Sequence, residues 1–368
     1  SIAKGSEMAS LTVSTNDGHL TINDGVVVYG DATLFSAGGI NLGDNSLTAE
    51  RLVLEAKDGD ITGSLAAKEI DLQATGRIDI KSKGDLSALR VVGSEVDLVV
   101  SGDLEVGLVR AGSVDMRGDV SLFVEGEISD DGDSSTMVSA ESLKVEAGGS
   151  VNLETDVRSI DAVALGEGVI NIMEKGDVTL TRIVAGGERI VVSASGVSMG
   201  DNILRAQEVS LEAREGDIVG RVAAEEVDLQ AAGKVDVQGP GDLKVARAVG
   251  AEVNLKAGGK LSLGSISAGL SGGVTLNAGG AVISAEDVVG VDVTGGVLNI
   301  VAGGSIKLNT NVESLSNAKT SSQINNLYSE KEITLKDPPV YEKLSEKLII
   351  KVRKKPINPQ IISNIEKI

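Results

Sequence analysis

The chain repeats itself. Arg51 to Asp79 reads RLVLEAKDGDITGSLAAKEIDLQATGRID, and Glu208 to Asp236 reads EVSLEAREGDIVGRVAAEEVDLQAAGKVD, a numbering offset of 157. The offset holds without a gap through Val91–Leu98 and Ala248–Leu255. It continues at 155, where LKVEAGGSVNLETDV from Leu143 matches LNIVAGGSIKLNTNV from Leu298. A long duplication of this kind folds as stacked supersecondary units, each burying its apolar face on the next.

The unit inside the repeat is a pair of alternating apolar residues, a small turn, and another such pair. Val227/Leu229 precede Val235/Val237, Val253/Leu255 precede Leu261/Leu263, and Leu298/Ile300 precede Ile306/Leu308. Period-two alternation over four or five residues is a strand with one buried face. Ala-Gly-Gly turns separate the pairs at Ala147, Ala257, Ala278 and Ala302, where glycine is expected to supply positive φ and a sharp bend. First pairs recur at Leu52, Ile70, Val96 and Val114, then at Val209, Val227, Val253, Val274 and Leu298, in uneven steps read as turn insertions. Each step is about the length of one coil of a solenoid. The expected fold is all-β: a right-handed parallel β-helix of about fourteen coils over residues 1–318, duplicated as roughly 8–161 and 162–315. At about 4.8 Å per coil it would span on the order of 65 Å. Ile70, Leu72, Ile78, Ile80, Val227, Leu229, Val235 and Val237 should point inward.

Composition agrees with a narrow tube. Aromatics are 1 % of the chain, with no Trp, while Gly numbers 46 and Pro only 5. Aliphatic side chains suffice to fill a coil, whereas a layered core normally uses rings. A hydrophobic fraction of 41 % excludes a disordered chain. No apolar run approaches the ~18 residues of a membrane span, and Ser1 onward reads as no signal peptide. There is no Cys, which removes disulfide and thiol chemistry and disfavours zinc. The net charge of −20 repels nucleic acid and keeps a long β surface soluble.

Few residues offer chemistry. His19, within Asn16-Asp17-Gly18-His19, is the one histidine and reads as a turn residue without a triad or metal partner. No serine sits in a Gly-x-Ser-x-Gly elbow. Asp130, Asp131 and Asp133 lie in an acidic stretch that could offer oxygen ligands to Ca²⁺, but without the twelve-residue calcium pattern. Its place, where the offset of 157 is lost, marks it as a solvated insertion. Gly43-Asp44-Asn45 recurs as Gly200-Asp201-Asn202 and suits corners needing left-handed residues. Neither catalytic residues nor a cofactor are expected.

The composition changes near the end. From Lys319 the chain carries net +4, against −24 for the rest, and it holds four of the five prolines. Asp337-Pro338-Pro339 is a candidate helix start. Tyr341, Leu344, Leu348 and Val352 then share one face, followed by Arg353, Lys354 and Lys355. Leu348, Ile350 and Val352 also alternate as a strand would, so a strand competes with the helix. Residues 319–368 are expected to act as a cap, a connector to another copy, or a linker.

The units Leu298–Leu308, Val274–Ile283 and Leu143–Leu153 resemble the repeats of filamentous-haemagglutinin-like exoproteins, over roughly Leu11 to Leu315. The resemblance implies a β-helical shaft of a Gram-negative cell surface. It further implies export through an outer-membrane secretion partner, and adhesion or biofilm contact with a receptor or polysaccharide. Gly59–Gly76 is also similar to bactofilins, intracellular polymers with more regular coils. A subunit stacking end to end on other protein chains is thus the alternative, and a polysaccharide-active β-helical enzyme a more distant one.

Overall fold

The computed structural model describes residues 7–44, 47–113, 116–132, 137–187, 189–269, 271–285, 292–320, 325–329, 334–335 and 348–352. Among them there is no helix; the strands pair in parallel and stack as a β-solenoid of about fifteen turns. The chain divides into two compact units, Ser1–Gly216 and Asp217–Ile368.

Strand Ile61–Ala74 shows how a coil turns in the first unit. Its first part pairs with Ile78–Ser82 and its second part with Leu47–Ala56. Within the second part, Lys68 and Glu69 both face outward, so the in/out alternation slips by one residue and the strand rounds a corner. Glu50-Arg51, Leu89-Arg90 and Thr181-Arg182 make the same slip. These corners contain no turn residue. A second class does, as at Lys57–Asp60 and Lys83–Asp85.

The core is built of stacked aliphatic columns. Ile40, Ile61, Ile78, Val96, Val120, Leu143, Ile160 and Leu180 are successive ladder partners, and all are buried. In the second unit Val235, Val253, Val274, Leu298 and Leu315 form the equivalent column. Each such side chain contributes about 1.5–3 kcal/mol of burial. All eight residues expected inward are completely buried.

Two expectations need correction. The long step from Ile70 to Val96 is not a coil: Ile70 pairs with Ala88, and Val96 pairs with Ile78. The slip corners, invisible as turns, merge two faces into one step. Val114 lies outside the described residues. The second correction concerns the duplication. Val96 pairs with Val120 but Val253 with Val274, so the second copy is three residues shorter at Gly269–Gly273 than at Gly112–Asp119. The later coil from Ile128 to Val151 corresponds to that from Val282 to Ile306, where the second copy is longer by one. The offset therefore drops from 157 to 154 before the acidic stretch and recovers to 155 after it.

Toward the end, Ile306–Thr320 pairs with Asn325–Ser329, which pairs with Leu348–Val352. Leu348–Val352 is a strand, not the end of a helix. The alternation of Leu348, Ile350 and Val352 wins because a neighbouring strand satisfies their backbone, which a helix of this length would have to do alone. Tyr341, Leu344, Arg353, Lys354 and Lys355 lie outside the described residues.

Candidate functional site

The acidic residues have a structural pattern that carries most of the chemistry on view. Gly-Asp-aliphatic occurs at Asp60, Asp85, Asp103, Asp217 and Asp242, immediately before a strand. In each, one carboxylate oxygen accepts a hydrogen bond from a backbone N–H one coil later. The donors and distances are Arg77 at 2.8 Å, Asp103 at 3.0 Å, Glu127 at 2.8 Å, Lys234 at 2.6 Å and Lys260 at 2.7 Å. The residue before each donor is glycine. A Cβ on Gly76, Gly102, Gly126 or Gly259 would lie 2.0–2.2 Å from that carboxylate oxygen. Glycine and aspartate are thus one device: the missing side chain in one coil makes room for the carboxylate of the previous coil. Charge-assisted bonds of this kind are roughly twice as strong as neutral ones. Sequence reasoning misses the device, although the repetition of the pattern is there to be read.

His19 belongs to the same set. It lies in the turn after Leu11–Thr15, and its Nδ1 accepts the N–H of Gly39 at 2.8 Å. That bond assigns the ring proton to Nε2. Gly43 adopts φ +63° and Gly200 φ +53°. The first closes a turn, while the second lies within strand Gly196–Arg205, where pairing skips from Ser198 to Arg205.

Two of the three aspartates read as possible calcium ligands have local backbone bonds. The Asp130 carboxylate accepts the N–H of Gly132 at 3.0 Å, and the Asp131 N–H donates to Val106 O at 3.0 Å. Asp133 lies outside the described residues. No group of three or more potential ligand residues is placed for a metal among the described residues.

Two buried acids belong to no motif. Glu174 occupies the third inward position of Ile170–Glu174, and the alternation of that strand is its sequence signal. Its carboxylate accepts from Thr155 Oγ1 at 2.7 Å, Val157 N at 3.0 Å and Gly176 N at 2.8 Å. Burial nevertheless pushes its pKa up, against the pull of those three donors. Asp292 is fully buried. One oxygen accepts from Asn309 N at 2.6 Å and from the Ser284 hydroxyl; the other is buried without a partner. Burial raises its pKa from the ordinary 3.8. Because the folded value lies above the unfolded one, the folded state binds the extra proton. Stability should therefore fall as pH rises from about 4 through the raised value. Denaturant midpoints across that range should show Asp292→Asn losing part of the decline; superimposable pH profiles would refute the linkage.

Shallow grooves lie along the first unit. One, of about 540 Å³, is lined by Met137, Glu154, Met173, Lys175, Ser195 and Arg214. Another, of about 470 Å³, runs past Lys68, Asp85, Asp103, Glu105 and Glu127, where Asp85 and Asp103 already hold the next coil. A third space of about 260 Å³ lies over Val13, Leu20, Ile22, Val26 and Leu34. His19, Asp130 and Asp131 line none of the three.

No protein-family profile, curated protein or solved structure matches the chain. No helix among the described residues is long and apolar enough to cross a membrane.

Proposed function

We propose that the chain is a structural shaft of a secreted or cell-surface protein, acting in adhesion or matrix contact without catalysis. The observation that carries the reading is the use of its acids: Asp60, Asp85, Asp103, Asp217 and Asp242 are engaged by backbone N–H groups of the next coil. Carboxylates committed in this way hold geometry rather than turn over substrate. The outward rings of Phe35 and Phe123 support the same reading. Lys57 Nζ lies 4.9 Å from the Phe35 ring centre and Lys144 Nζ 4.9 Å from that of Phe123, so neither ring stands free as a sugar platform.

On this reading the chain is exported through an outer-membrane partner and meets a receptor or polysaccharide on other surfaces. Protease added to intact producing cells should remove it while cytoplasmic proteins survive. Acidic and neutral polysaccharides incubated with it should keep their chain length. Protection from external protease would contradict the surface assignment. Turnover abolished by a single Asp substitution would contradict the absence of catalysis.

A further inference from the structure

Within Ser1–Gly216 three arginines reach past the neighbouring coil to the one beyond. Arg117 Nη1 donates to Ala140 O at 3.3 Å and to Asp156 O at 2.8 Å, and its Nη2 lies 2.9 Å from Asp156 Oδ1. These partners are 23 and 39 residues away, one coil and two coils on. Arg182 Nε donates to Asp161 Oδ1 at 2.8 Å in the preceding coil, and Nη2 reaches Glu146 Oε1 at 3.3 Å, 36 residues back. Arg214 Nη2 donates to the Glu174 carbonyl and, at 3.4 Å, to the Lys175 carbonyl, 40 and 39 residues back. The Ser195 hydroxyl, in the coil between, donates to the same Lys175 carbonyl at 3.1 Å.

The three spans are 117–156, 146–182 and 174–214, and each overlaps the next. Other ion pairs of that unit go no further than the adjacent coil. Arg90 meets Asp71, Arg158 meets Glu141 and Lys68 meets Glu50. Among the described residues of Asp217–Ile368, Arg247 meets Asp228 and Lys244 meets Glu226, again one coil away.

A solenoid held only by nearest-neighbour contacts can open one coil at a time. A bond to the second neighbour is lost when either of two further coils moves, so it ties their opening together. Two of the three arginines also bind main-chain carbonyls, which are fixed to the ladder. We propose that Arg117, Arg182 and Arg214 are overlapping clamps that make the coils from Asp119 to Ala213 open as one block. Under load such a block yields all at once, while the coils before it peel singly. The clamps are a property of the fold and hold whether or not the chain works at a cell surface.

Hydrogen exchange of the full chain at graded low denaturant tests it. Strands Val138–Ala147, Val151–Ala164, Ile170–Glu174, Arg189–Ala194 and Glu208–Ala213 should share one opening transition. Strands before Arg117 should open in sequence. Arg117→Gln, Arg182→Gln and Arg214→Gln, made singly so that each variant folds, should split the block and speed exchange in the released coils by about tenfold. Arg90→Gln and Arg158→Gln remove the same charge from adjacent-coil pairs and should leave the block whole. Coil-by-coil exchange in the unsubstituted chain would overturn the proposal, as would equal splitting by the Arg90 and Arg158 variants.

Discussion

Leu229→Asp should destabilise the second unit by at least about 4 kcal/mol, combining a lost leucine with an unpaired buried carboxylate. Leu229 has no exposed surface and is the ladder partner of Ala248. No polar partner waits for a carboxylate there, since the column is aliphatic. Its neighbour Asp228 faces outward and pairs with Arg247 at 2.9 Å across a bulge in the ladder. Asp228→Ser should cost at most about 1 kcal/mol, the ordinary worth of a half-exposed ion pair. Urea unfolding of the two variants measures the difference. Equal losses would mean that the inside and outside of strand Glu226–Ala231 had been exchanged.

Gly258→Ala should be nearly as damaging. A Cβ there would lie 2.1 Å from the Pro240 carbonyl oxygen of the preceding coil. The obstacle is backbone, so relief requires the coils to separate, and a cost of about 3 kcal/mol is expected, the upper end for overpacking. The same approach recurs at the first glycine of the other Ala-Gly-Gly corners. A Cβ on Gly148 would meet Glu125 O at 1.9 Å, one on Gly279 would meet Gly258 O at 2.1 Å, and one on Gly303 would meet Gly279 O at 2.0 Å. Gly241 is the control: nothing lies within 4 Å of its Cβ position and its φ is not positive. Gly241→Ala should be neutral or slightly stabilising, by up to about 1 kcal/mol, through the unfolded state. Thermal unfolding of the pair reads the contrast directly, and matching melting temperatures would show that coil contact does not select these glycines.

That contrast also changes why the corners contain glycine. Local turn chemistry predicts positive φ, and none of the four Ala-Gly-Gly corners adopts it. They are selected by the carbonyl of the coil before, a contact between distant residues that local turn chemistry does not report. The core is legible because alternation is local: Ile70, Leu72 and their copies Val227 and Leu229 announce their side within a few positions. Corners at Lys68-Glu69 and Leu89-Arg90 are not legible, because two outward residues in succession look like noise unless the partner strand is known. The Gly-Asp-aliphatic device lies between these cases. Its repetition is visible, but only the ladder shows which N–H each carboxylate takes. Glu174 illustrates the limit of composition: one more acid in an acidic chain, yet held inside by three donors.

The duplication preserves these devices together. Asp71–Arg90 in the first copy and Asp228–Arg247 in the second are the same ion pair, at 2.8 Å and 2.9 Å, and both sit at a register shift. Asp60 with Arg77 and Asp217 with Lys234 repeat the corner bond in the same way. What was duplicated is therefore a set of coil-to-coil fasteners as well as an apolar pattern.

Successive coils, not successive residues, set distance in this chain. Thr62, Asp79, Asp97, Ser121, Lys144 and Asp161 are consecutive ladder partners facing outward. The chain has no native cysteine, so spin labels can be placed at Thr62 with Lys144 and at Thr62 with Asp161 without interference. At about 4.8 Å per coil the backbone separations are roughly 19 and 24 Å. Pulsed dipolar spectroscopy should give two narrow distributions differing by one strand spacing, although a whole coil of chain separates Lys144 from Asp161. Broad distributions, or a second distance far beyond the first, would contradict the stacked parallel register on which the corner bonds, the clamps and the proposed shaft all depend.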